Sequence, residues 1–353
     1  MRNYLLAALL LVVAPAWSQP LTTRYASRLT EPRSYAAYRT TGKIKVDGKL
    51  SERDWSRAAS SEAFVDISGP GFPAPSKETH VKMLWDDEYL YIGATLVEDN
   101  IVGNLKQRDT IIWKQNDFEI FIDPDGDGVN YFEIETNVRG TLLDLIMDKP
   151  YRSGGNFYSP WDCKGIQVGI YCKGTVGKAS DRDQYWTVEV AIPRKSLMWG
   201  FTDPDTLPYW RINFSRVEWL RPDREENWVW SPTGKVDMHM PERWGYLLFV
   251  NAPVGSKKAN DIPVVDLDKE AYKLLWAMFY AQLDAKERTG RYLATEAEFG
   301  LTLEEREKAV TIDVETLSEA FSLRLVPRGA RVQYSVDQDG RFTIRPVPSV
   351  RMR

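Results

Sequence analysis

The chain has 353 residues, with 46 Lys+Arg against 50 Asp+Glu and a formal net charge of -4. That balance lacks the basic face a nucleic-acid partner would need, so such a partner is not expected. The 13 tryptophans and 17 tyrosines point to a β-rich core with large aromatic area, and in an acidic exported chain they also fit sugar binding.

The first residues, MRNYLLAALLLVVAPAWSQP, carry one positive charge, Arg2, and then an apolar run from Tyr4 to Ala14. Ala16 and Ser18 stand at the minus-three and minus-one positions of a cut before Gln19. This is the pattern of a Sec-type signal peptide over residues 1–18. The run is short for a membrane span, and no cysteine follows it to take a lipid anchor. The expectation is an exported, soluble protein, periplasmic or extracellular, without a membrane span.

Residues 19–37 show no pattern, and a globular region is expected over 38–250. The segment KIKVDGKLSERDWSRA predicts a strand, a turn at Asp47-Gly48 and a short helical turn carrying Asp54 and Trp55. Strands are predicted at 78–86, 89–98, 117–123, 130–137, 142–148, 165–176 and 184–192. Two more begin near Trp210 and Trp244, with Gly, Pro, Asp and Asn marking the breaks. Short strands at this spacing predict an all-β fold, an antiparallel sandwich of jelly-roll or immunoglobulin-like type. A linker follows at 251–265. Over 268–289 the pattern turns helical, with Tyr272, Leu275, Trp276, Phe279 and Leu283 on one stripe and Gly290 as the stop. Short strands and another helix near 309–313, 316–320 and 331–346 complete a small α+β extension, 266–353. Its few apolar positions would make it marginal alone.

The stretch WKQNDFEIFIDPDGDGVNYFEIETN, from Trp113 to Asn137, is the most informative. Phe118, Ile120 and Ile122 alternate with Asp117, Glu119, Phe121 and Asp123. On the return, Phe132, Ile134 and Thr136 alternate with Tyr131, Glu133, Glu135 and Asn137. Period-two alternation puts one set on the core and crowds the other face with carboxylates and an amide. Trp113 stands at the edge of that face. It either covers the sheet edge or offers a flat apolar partner to a sugar ring, whose hydroxyls Glu119, Glu135, Asn137 and Arg216 would then bond.

Ordered pieces of the chain resemble carbohydrate-binding module family 9 and its DOMON-related relatives: VDGKLSERDW, VKMLWDDEYLYIGATLVED, WKQNDFEIFIDPDGDG, YWTVEVAIP, WRINFSRVEW and WGYLLF. The resemblance covers about Lys43 to Val250 and implies an antiparallel β-sandwich with bound calcium that holds a poly- or oligosaccharide between two tryptophan rings. Carried over by position, Trp113 matches one ring and Glu119 a carboxylate that bonds sugar hydroxyls. Glu135 stands where an arginine is expected, Ser215 where an amide is expected, and the second ring falls near Met238 and His239. Trp230 and His239 lie in the loop that corresponds to the ligand-facing one, while Trp244 reads as core. Arg216 is expected to pair with Glu135, reversing the family's charge order.

Three other features carry chemistry. The turn Asp123-Pro124-Asp125-Gly126-Asp127-Gly128 looks like half an EF-hand loop, but the twelfth position is Ile134, so a true EF-hand is excluded. It remains a calcium site through Asp123, Asp125 and Asp127, or an ordinary Asp-Gly turn. Cys163 and Cys172, nine residues apart in an exported chain, are expected to close a hairpin as a disulfide. The two histidines, His80 and His239, are too far apart in sequence to support a His-based triad.

The leading expectation is a non-catalytic carbohydrate-binding protein that stacks a sugar on Trp113, with calcium stiffening its loops and glycan-degrading enzymes acting alongside. Two readings compete. Glu119 and Glu135 could be the carboxylate pair of a glycoside hydrolase. A DOMON-type haem module would need axial Met or His ligands, and the adjacent Met238 and His239 make a poor pair.

Overall fold

The computed structural model describes residues 19–199, 205, 207–256 and 262–347. The expected signal peptide, 1–18, lies outside the described residues. The strands are β1 (Ser34–Arg39), β2 (Val65–Asp66), β3 (Thr79–Trp85), β4 (Tyr89–Val97), β5 (Asp117–Asp123), β6 (Tyr131–Asn137) and β7 (Leu142–Met147). They continue with β8 (Phe157–Tyr158), β9 (Gln167–Lys173), β10 (Tyr185–Pro193), β11 (Tyr209–Arg221), β12 (Arg224–Val229) and β13 (Gly245–Pro253).

These strands run in the order β8-β7-β6-β5-β11-β13-β1-β3-β4-β10-β9, with β12 beside β11 and β2 beside β12. The pairs are antiparallel except that β1 lies parallel to both β13 and β3. One apolar core draws on both halves of this order: Val81, Met83, Ile92, Val188 and Val190 meet Phe118, Ile120, Phe132, Ile134 and Phe214. The sheet therefore folds back over a single filling, which makes it a β-sandwich.

Two local expectations change. Residues 43–46 form no strand: Ile44 packs with Trp55, Leu84, Tyr91 and Ala191 on the outer side of β4 and β10. What holds this segment is Glu189. Its carboxylate accepts the Gly48 amide at 2.9 Å, the Asp47 amide at 3.0 Å and the Trp55 indole at 2.8 Å. Gly48, at φ +83, passes so close to β9 that a Cβ would stand 2.4 Å from the Ile170 carbonyl carbon. In the lead-in, β1 forms where no pattern was visible. SYAAYR buries only Tyr35 and Ala37, too few for a periodic signal.

The disulfide is corrected as well: Cys163 and Cys172 are free thiols. Cys163 precedes β9, and β9 then runs extended at about 3.3 Å per residue toward Cys172, so nine residues separate the sulfurs rather than close a hairpin. The strand opposite Cys172 carries Trp186. Burial pushes the Cys163 thiol up to about 12.

A second compact unit comprises Asp268–Ser335 with residues 19–29 and 344–347. It contains α1 (Leu21–Arg24), α3 (Lys269–Thr289), α4 (Leu303–Arg306) and most of a four-stranded sheet, β14 (Ala309–Thr316), β15 (Phe321–Pro327), β16 (Val332–Asp337) and β17 (Phe342–Pro346); α2 (Arg53–Arg57) belongs to the sandwich. Asp268 caps α3 by accepting the amides of Glu270 and Ala271, and Gly290 ends it at φ +76. The helix buries more than the predicted stripe, including Leu274, Met278 and Tyr280, and Phe279 meets Phe321 of the sheet. This unit thus has a core of its own.

Residues Val336–Thr343 cluster with the sandwich. Arg341 Nε bonds the Asp127 carboxylate at 2.9 Å, the Phe342 amide donates to the Asp127 carbonyl at 2.8 Å, and Lys149 pairs with Asp339 at 3.0 Å.

Candidate functional site

The β5–β6 hairpin has the predicted alternation, but neither face is open. All seven residues of each strand are buried. Phe121 and Tyr131 share the acidic face, and there they join Ile112, Leu143, Leu145, Met147, Val229, Met238 and Trp244 in a second apolar core. The loop from β4 to β5 covers the face. Asn137 Nδ2 and Thr141 Oγ1 donate to the Leu105 carbonyl at 3.0 and 2.8 Å, and Arg139 Nε donates to the Gly103 carbonyl at 2.9 Å. Ile112, in a 3-10 turn at Ile112–Lys114, inserts from above.

Beneath that cover lies a cluster of carboxylates. Register pairs Glu119 with Glu135 across β5–β6, Asp117 with Asn137, and Ser215 of β11 with Glu119. Asp117, Glu119 and Glu135 can each bring one oxygen within 4.8 Å of the others. Burial, and then the neighbouring carboxylates, push all three well above the ordinary carboxylate range. Glu133, next along the face, is pushed up to about 8 by burial and by Glu119. The influences that favour ionisation do not reverse this: the Val217 amide on Asp117, the Ser215 hydroxyl on Glu119, and the amides of Trp113 and Ile112 on Glu135. Even so, Ser215 Oγ, Asp117 Oδ2 and Glu135 Oε2 are buried with no partner in hydrogen-bond geometry. A glycosidase would need its scissile bond between Glu119 and Glu135. At 5% and 2% exposure these side chains are closed to a sugar in this arrangement.

The exposed part of the site is aromatic. Trp113 is 42% exposed on the 3-10 turn. Here β11 leaves the β5 ladder: the Val217 amide donates to Asp117 Oδ1 at 3.2 Å and the Trp219 amide to Asn116 Oδ1 at 2.9 Å. Side chains replace backbone partners, and the far end of β11 is carried under the turn. The Trp219 indole then donates to the Trp113 carbonyl at 3.0 Å. Trp219 is the residue that sequence reasoning missed. Its place in WRINFSRVEW, two residues beyond Val217, was the available signal.

The remaining predicted residues lie elsewhere. Arg216 faces away from Ser215 and does not meet Glu135. It binds Glu98 at 2.9 Å and Glu218 at 2.8 Å, with Lys77 on the same two carboxylates at 2.6 and 2.8 Å. Strand alternation is the reason, since consecutive residues take opposite faces. Asn137 caps its own turn, accepting the Arg139 amide at 2.9 Å. Trp230 is fully buried in the main core, its indole N–H donating to Glu62 at 3.3 Å. His239 sits among Phe121, Tyr131 and Tyr151, with Nδ1 2.9 Å from the Tyr131 hydroxyl. Burial lowers it to about 4, so it is neutral at pH 7. Met238 belongs to the second core, as does Trp244.

The Asp-rich turn has used most of its oxygens. Asp123 accepts the amides of Gly126 and Gly128 at 2.9 and 2.8 Å. Asp127 accepts the Val129 amide at 3.0 Å and the Arg341 guanidinium at 2.9 Å. Asp125 Oδ1 is left unpartnered. The three can still each bring one oxygen within 4.8 Å of the others, with the Arg341 guanidinium already on one of them.

Among the described residues no helix is long and apolar enough to cross a membrane. Residues 46–251 match the family model described as carbohydrate family 9 binding domain-like. No curated protein matches the chain. Among solved structures it is similar to a protein of Bacteroides uniformis ATCC 8492 described as carbohydrate-binding, with 16% identity, 62% of this chain and 100% of that one covered, and a TM-score of 0.48. It is also similar to a carbohydrate binding module family 9 of Caldicellulosiruptor kristjanssonii. With cellotriose that module matches at 15% identity, 66% and 99% coverage and a TM-score of 0.42. With glucose the values are 15%, 64%, 99% and 0.42.

Proposed function

The chain belongs to the carbohydrate family 9 binding domain-like family, and from that premise we propose that it is a non-catalytic protein that captures a poly- or oligosaccharide on Trp113. The observation that carries this reading is the exposed Trp113 ring on a backbone held by the Trp219 indole. A sugar's C–H face is apolar, and a fixed indole offers it a flat partner at little cost in side-chain entropy. The covered hairpin face supports the platform from below, with Ile112 of the same turn packed into its apolar core. Such shallow contacts give single-site affinities of about micromolar to millimolar.

We further infer that residues 1–18 direct export, so that binding takes place in the periplasm or outside the cell, beside enzymes that degrade the same glycan. The experiment for the binding itself is a glycan array with wild type and Trp113→Ala. Binding lost in a folded Trp113→Ala protein supports the reading. Equal binding by both, or none by wild type, overturns it.

A further inference from the structure

We propose that Asp117, Glu119 and Glu135, together with the Ser215 hydroxyl, hold a buried divalent cation, and that the donor chemistry selects calcium. Oxygens that lie within 4.8 Å of one another can share a sphere of radius about 2.4 Å, the calcium–oxygen distance. The donors are carboxylates and a hydroxyl, hard ligands that suit calcium or magnesium and not the softer zinc or copper. Magnesium keeps several waters at a shorter distance. Side chains at 0%, 5%, 2% and 0% exposure, roofed by Ile112, leave little access for them.

The need for a cation is independent of the acidic count. Ser215 Oγ is fully buried, stands on the strand directly opposite Glu119 and bears on its carboxylate, yet completes no hydrogen bond. A buried hydroxyl without a partner is costly. Asp117 Oδ2 and Glu135 Oε2 are in the same condition. The groups that act most on the three acids are other carboxylates, this hydroxyl and backbone amides. Buried carboxylates that keep their charge are paired or coordinate a metal. One divalent ion would meet an oxygen of each acid at once. Because Ile112 shares the 3-10 turn of Trp113 and packs into the core on this face, the ion would lock the turn that carries the exposed ring.

The test uses the full chain after dialysis against EGTA. Calcium is titrated by calorimetry, and terbium luminescence is excited through tryptophan. Wild type and Asp125→Asn are expected to bind a single ion per chain and to unfold at higher temperature with CaCl2. Glu135→Gln, which removes one buried acid of the cluster and so favours folding without the ion, is expected to lose both effects. No calcium uptake by wild type overturns the proposal. So does uptake that survives Glu135→Gln, or uptake lost only in Asp125→Asn. Should Glu135→Gln fail to fold, Ser215→Ala decides: terbium affinity about tenfold weaker supports the site, and unchanged affinity overturns it. Glycan binding is scored separately with Trp113→Ala.

Discussion

The Trp219 indole N–H donates to the Trp113 carbonyl at 3.0 Å, so one tryptophan sets the backbone that presents the other. Trp219→Phe keeps an aromatic ring and removes only this donor. Glycan affinity should fall by less than in Trp113→Ala, by about 0.5–1.5 kcal/mol, with thermal stability nearly unchanged. Affinity electrophoresis of the two variants side by side checks the order; equal loss in both would mean that Trp219 does more than orient the turn.

Arg216 should matter for stability and not for ligand. It is 1% exposed between Glu98 and Glu218, on the opposite face from Ser215. Arg216→Met leaves those carboxylates with Lys77 alone and should cost about 3–5 kcal/mol in denaturant unfolding. Glycan binding per folded molecule should match wild type.

Asp54 gives a pH signature. Burial raises its carboxyl, but the Thr41 hydroxyl at 2.5 Å and the amides of Thr41 and Gly42 at 2.5 and 3.1 Å outweigh that and hold it below the ordinary range. A depressed folded-state pKa stabilises above the unfolded value and is lost as pH falls through the folded one. Asp54→Asn should therefore cost about 1–3 kcal/mol at pH 7, and the gap from wild type should close below about pH 4. Urea unfolding at a series of pH values reads it directly.

The thiols offer a plain check. Dithiothreitol should change neither gel mobility nor the melting temperature, and in denaturant both cysteines should react with a thiol reagent. Before denaturation Cys163, buried and held protonated, should react far more slowly than half-exposed Cys172.

The strands were legible because their apolar periods are strong: β5 was expected at 117–123 and spans Asp117–Asp123. β12 was not, since REENWV carries charge through half its length and pairs along that charged half only by finishing the β11 hairpin. The alternation of the acidic face was read, and its burial was not. Phe121 and Tyr131 stand among the acids, and Leu143, Leu145 and Met147 continue that face on β7. Five apolar groups on a nominally wet face were the sign that a loop must cover it. Arg216 against Ser215 is the same lesson at shorter range: adjacent residues on a strand cannot serve one pocket. Nor could any local pattern show that the Trp219 and Trp113 segments meet, since 106 positions separate them.

The tip at 336–343 bears on how the protein can be divided. The sandwich is not a continuous stretch of chain: Arg341 and Phe342 answer Asp127 from beyond the linker. Truncation at residue 250 leaves a carbonyl and a carboxylate without their donors, and the shortest faithful recombinant module is the one that keeps its own last hairpin.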